Sequence, residues 1–89
     1  MRRQQEGELQ RLRREAFARG VRTHRREIVD GIDRAAKVGR TQVTVEIESP
    51  AVGKHLRDEL ARTGYNVRLE KVPNKVAGDP QTYRVRVAW

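Results

Sequence analysis

Three observations predict an α+β fold, a long N-terminal helix followed by a β-α-β-β unit with a three-stranded mixed sheet. Apolar residues recur at steps of three and four from Leu9 to Ala35, the spacing of one helical face. Three later segments alternate apolar and polar residues, the period of a half-buried strand. Between the first two alternating segments lies Ser49-Pro50, a cap followed by a first helical position where proline's missing N–H is harmless.

Residues 1–8 are polar and basic and read as a flexible N-terminus. Residues 9–39 read as an amphipathic helical arm. Leu9, Leu12 and Ala16 form one stripe, and Phe17, Val21, His24, Ile28, Ile32 and Ala35 a second, nearly continuous with it. Gly20 and Gly31 each weaken a helix by about 1 kcal/mol relative to Ala, which leaves open whether the helix bends or breaks near Gly20 or runs through it. Gly39 supplies the stop.

Residues 41–89 form the β-α-β-β core. Val43, Val45 and Ile47 alternate with Thr44, Glu46 and Glu48 in the first strand. Val52, Leu56 and Leu60 make the apolar stripe of the capped helix. Gly64 then ends that helix in a left-handed stop, with Tyr65 folding back on the stripe. Val67 and Leu69 mark a second strand ended by Pro73, residues 73–81 a loop, and Tyr83, Val85, Val87 and Trp89 a last strand. A right-handed crossover makes the first two strands parallel, and the final hairpin adds an antiparallel neighbour.

Eighty-nine residues allow one domain with a modest core. Hydrophobic and charged residues each make up 36%, which keeps the chain on the folded side of the boundary with disorder. There is no cysteine, which excludes disulfides and thiolate metal sites. Apolar runs are too short for a membrane span. The reading is a soluble, cytoplasmic protein. The net charge of +8 sits mostly on residues 1–40, which hold twelve Arg or Lys against six Asp or Glu. Such an excess favours anionic partners. The choice of arginine over lysine, sixteen to four, fits a GC-rich genome equally well.

Catalysis finds little support. Ser49 is the only serine and serves as a cap, and His24 and His55 lie on different helices without metal-ligand spacing. Glu46, Glu48, Asp58 and Glu59 read as ion-pair partners on exposed positions. The glycines form no nucleotide-binding motif. No enzyme activity, metal or cofactor is expected. Binding is the better reading, through two arginine groups. Arg11, Arg14, Arg22, Arg25 and Arg26 lie on the arm away from its apolar stripe, where Glu15 and Glu27 also fit a solvated, ion-paired face. Arg68, Arg84 and Arg86 should share the polar sheet face with Thr44, Glu46 and Glu70, where alternating signs also fit an ion ladder. Tyr65, Tyr83 and Trp89 offer rings for stacking on a base, although two of them fall on the predicted core face.

The stretch VTVEIESPAVGKHLRDELARTGYNVRLE with the ending YRVRVAW resembles small phage-encoded proteins that run from a charged helix into a strand, a helix ending in Gly-Tyr, and a final strand closing on Trp. The resemblance covers about two thirds of the chain. It implies host cytoplasm as the setting and action by binding, including oligomeric sponges for nucleotide immune signals and inhibitors of host enzymes.

The expectation is therefore a homo-oligomer that assembles through Leu9, Leu12, Phe17, Val21 and Ile28. It would bind a phosphate-bearing ligand, such as a cyclic or ADP-ribose-type nucleotide, at Arg22, Arg25, Arg26, Arg68, Arg84 and Arg86. Sequence-independent DNA or RNA binding through the same arginines is the alternative, and inhibition of a host enzyme a third reading.

Overall fold

The computed structural model describes residues 2–73, 76, 78 and 80–89, with side chains from residue 7 onward. Met1 and loop residues 74, 75, 77 and 79 lie outside the described residues, so the expected loop is described only in part. The elements are α1 (Arg2–Lys37), β1 (Gln42–Ile47), α2 (Pro50–Arg62), β2 (Asn66–Val72) and β3 (Thr82–Ala88).

α1 is one unbroken helix of 36 residues. Its length, about 54 Å at 1.5 Å per residue, accounts for the longest dimension of the molecule, 57 Å. Residues 2–8 belong to the helix, because Arg, Gln and Glu are good helix formers and Gly7 alone costs too little to stop them. The helix runs unbroken through Gly20, whose missing side chain admits Val52 of α2: a Cβ there would sit 3.1 Å from Val52 Cγ2.

The C-terminal half of α1 is not a separate arm. Val21, Ile28 and Ala35 are buried, and steps of seven keep them on one face. Val21 and Ile28 pack over the sheet in one core with Val52, Leu56 and Leu60 of α2. The N-terminal half projects, with Leu9 and Leu12 more than half exposed. From Leu12 to Phe17 is about 500° of helix, so the first stripe points roughly 140° away from the second. Only Phe17 reaches back, meeting the His55 ring edge-on at 5.5 Å.

α2 is bounded as its sequence requires. Ser49 Oγ accepts from the Val52 amide at 3.3 Å. At the other end the amides of Gly64 and Tyr65 donate to the carbonyls of Ala61 and Leu60, with Gly64 at φ +102°, a Schellman stop.

The sheet has the order β1-β3-β2, and both pairings are antiparallel. The expected mixed sheet is thus corrected: β3 enters between β1 and β2, which point the same way but do not touch. Helix width supplies the reason. Packed helices need 8–10 Å between axes, and two strand spacings of about 4.8 Å supply it. α1 accordingly lies chiefly on β1, and α2 on β2 and β3. Both helices cover one face of the sheet, where Ile47, Val85 and Val87 are fully buried.

Candidate functional site

The opposite face of the sheet is uncovered, and its side chains form three rows across the strands. Gln42, Ala88 and Asn66 make the first, Thr44, Arg86 and Arg68 the second, and Glu46, Arg84 and Glu70 the third. The polar residues expected to share this face are brought together on it. In the third row Arg84 lies between two carboxylates and approaches Glu46 at 3.8 Å. Two carboxylates against one guanidinium leave that row net negative.

The second row is not balanced. Arg68 and Arg86 stand directly opposite each other on adjacent strands, a like-charge arrangement that destabilises a sheet. Glu70, one row away, reaches Arg86 at 3.5 Å and is the only carboxylate within ion-pair distance of either guanidinium among the described residues. Arg86 Nε is buried without a hydrogen-bond partner. Beside the pair, small Ala88 lies between Gln42 and Asn66, so the first row forms a trough. The five residues Gln42, Asn66, Arg68, Arg86 and Ala88 line a recess of about 190 Å³. Guanidinium forks, amide donors and a missing counter-charge together suit one phosphate-sized anion. The recess is smaller than the roughly 300 Å³ at which small-molecule pockets begin, so a larger ligand would lie across the open face.

Sequence alternation placed the arginines on one face, but their direct opposition depends on strand register. Gln42, Asn66 and Ala88 were missed as lining residues for the same reason. No aromatic ring lies in these rows. Tyr83 shares the core-facing parity of Val85 and Val87, and Tyr65 meets Trp89 edge-on at 6.4 Å. The uncovered face therefore offers charge and hydrogen bonds without a stacking platform.

The helix arginines lie elsewhere. Arg25 donates from Nε to Glu59 at 2.8 Å and from its terminal nitrogen to the other carboxylate oxygen. That bidentate pair ties α1 to α2. It holds the Glu59 carboxyl below its ordinary range, chiefly through the hydrogen bond from Arg25, and raises the Arg25 pKa. Arg22 and Arg26 are exposed on α1, across the sheet from Arg68, Arg84 and Arg86, so the six proposed ligand arginines form two surfaces. Of the proposed assembly residues, Val21 and Ile28 are buried within the chain's own core, whereas Leu9, Leu12 and Phe17 are exposed.

His24 Nδ1 lies 3.5 Å from Glu27 and His55 Nε2 3.7 Å from Glu59, each within its own helix. Among the described residues no cluster of three His, Asp or Glu is placed to hold a metal ion. No helix among them is long and apolar enough to cross a membrane.

The architecture is that of a two-layer α+β protein with one sheet face left open. No protein-family model, no curated protein and no solved structure matches the chain.

Proposed function

We propose that this protein is a non-enzymatic binding module for phosphate-bearing ligands, taken at the Arg68–Arg86 step of the uncovered sheet face. The observation that carries the reading is the juxtaposition itself. Two arginines stand opposite each other on adjacent strands, beside a recess they line together with amide side chains, and the one carboxylate at ion-pair distance reaches Arg86 alone among the described residues. A phosphate group supplies the missing charge and accepts from both forks. In the setting implied by the phage-protein resemblance, a nucleotide held this way would be sequestered without being turned over.

Calorimetric titration with pyrophosphate tests the site. Arg68→Ala and Arg86→Ala should each weaken binding at least tenfold, whereas Arg84→Ala, which removes a group already flanked by two glutamates, should change it little. Equal affinity in all four proteins would sink the assignment.

A second reading is supported by the exposed arginines of α1. Arg13, Arg14, Arg19, Arg22 and Arg26 are exposed there, with no carboxylate within 4 Å among the described residues. A helix so lined suits the backbone of DNA or RNA in the absence of any base readout. Binding to a nucleic-acid duplex that falls steeply between low and moderate salt, and that is insensitive to Arg68→Ala, would favour this reading over the first. Failure of pyrophosphate and nucleic acid alike, with a host enzyme retained on the immobilised protein, would instead support inhibition by protein contact.

A further inference from the structure

β1 forms one edge of the sheet, with β3 on its other side. The Trp89 amide donates to the Thr41 carbonyl at 2.9 Å. In an antiparallel ladder hydrogen-bonded pairs alternate, so Val43, Val45 and Ile47 direct their backbone groups at β3. The N–H and C=O groups of Gln42, Thr44 and Glu46 therefore point outward, along an edge that has no strand beside it. The other edge is guarded. β2 presents Lys71, whose backbone points away from β3, and ends at Pro73. Lysine and proline are the usual means of blunting an edge, and β1 has neither.

We propose that two copies associate through antiparallel pairing of their β1 strands about a two-fold axis at Thr44, making one six-stranded sheet. The register is self-complementary. Thr44 meets Thr44 of the second copy, a favourable cross-strand pair, and each Glu46 meets a Gln42, so no like charges are opposed. Outward-pointing residues pair only with outward-pointing residues, as the ladder demands.

The helix above this edge has matching properties. Arg26, Glu27, Asp30 and Arg34 line the groove between α1 and β1, so the surface offers both signs of charge to its own copy. Steps of three, four and seven place Leu9, Leu12 and Ala16 on that same side of α1. The exposed apolar stripe thus faces the second copy.

The association would complete the site proposed above, and on this point it rests on that reading. Thr44 belongs to the same row as Arg86 and Arg68, so an axis at Thr44 joins two rows into one. Four arginines would then cross the open face in line. At a strand spacing of about 4.8 Å, the two Arg86 Cα atoms are roughly 14 Å apart and the two Arg68 Cα atoms roughly 24 Å. A row of that length suits an extended polyanion with several phosphates.

The chain has no cysteine, so single cysteines report the register directly. Light scattering at micromolar concentration should show a dimer for the wild type. Mild oxidation should cross-link Thr44→Cys, since hydrogen-bonded antiparallel pairs lie about 5.5 Å apart, within disulfide reach. Gln42→Cys should stay unlinked. Thr44→Pro should be a folded monomer, because the amide it removes points away from β3. Thr44→Lys, which keeps that amide and sets two cations against each other, should also be monomeric. A monomeric wild type, or a dimer that Thr44→Cys fails to cross-link and Thr44→Lys fails to dissociate, overturns the proposal. Ligand binding is read separately. Thr44→Pro, which adds no charge beside Arg86, should keep wild-type affinity for pyrophosphate, and lose at least tenfold in affinity for long-chain polyphosphate, which gains from two linked sites.

Discussion

A Cβ built on Gly31 would lie 2.7 Å from Cγ2 of Val43, closer than packed carbon atoms approach. α1 rests on β1 with its backbone at this point, and glycine is required for that contact in spite of its poor helix propensity. Gly31→Ala gains about 1 kcal/mol of propensity but overpacks the helix–strand contact, at about 1–3 kcal/mol. The expected result is net destabilisation in urea unfolding, relieved by adding Val43→Ala. Gly7→Ala, with open space around it, should be neutral or stabilising.

The two halves of α1 should respond differently to truncation. Ile28 is wholly buried, and Ile28→Ala should cost about 2–5 kcal/mol through lost burial and the cavity left behind. Leu9→Ala and Leu12→Ala should alter the stability of the monomeric Thr44→Lys protein by no more than about 0.5 kcal/mol. Equal effects along the helix would contradict the projecting arrangement.

The Arg25–Glu59 pair should make stability depend on acid. The Glu59 pKa is lowered in the folded state, so the pair's contribution is fully present above the ordinary glutamate range. It is lost as pH falls through the lowered value. Glu59→Gln should reduce Tm at neutral pH, and the gap to the wild type should close in acid. A gap constant across that range would exclude the pair as its source. The two side chains are 41% and 34% exposed, so solvent screening keeps the effect small.

Opposed arginines should lower stability in the absence of ligand. Replacing Arg68 with Glu places opposite charges across the β2–β3 ladder, and should stabilise the protein by about 0.2–1 kcal/mol while abolishing pyrophosphate binding. A variant that gains neither stability nor a binding defect would show that the like-charge step is not felt.

Local chemistry made the individual elements legible in sequence. Ser49 and Pro50 start α2, Gly64 and Tyr65 stop it, and alternation of Val43, Val45 and Ile47 identifies β1 and its buried face, because each signal acts over only a few residues. The neighbours of each strand were not legible. β3 enters between β1 and β2 because two helices side by side need two strand spacings beneath them, a condition set by the whole sheet. The opposition of Arg68 and Arg86, the outward amide of Thr44 and the pairing of Arg25 with Glu59 follow from that arrangement. Sequence by itself determined which residues of β1, α2, β2 and β3 face the core; tertiary structure alone decided which part of α1 joins that core and which charged residues meet, because register and helix placement depend on contacts between distant parts of the chain.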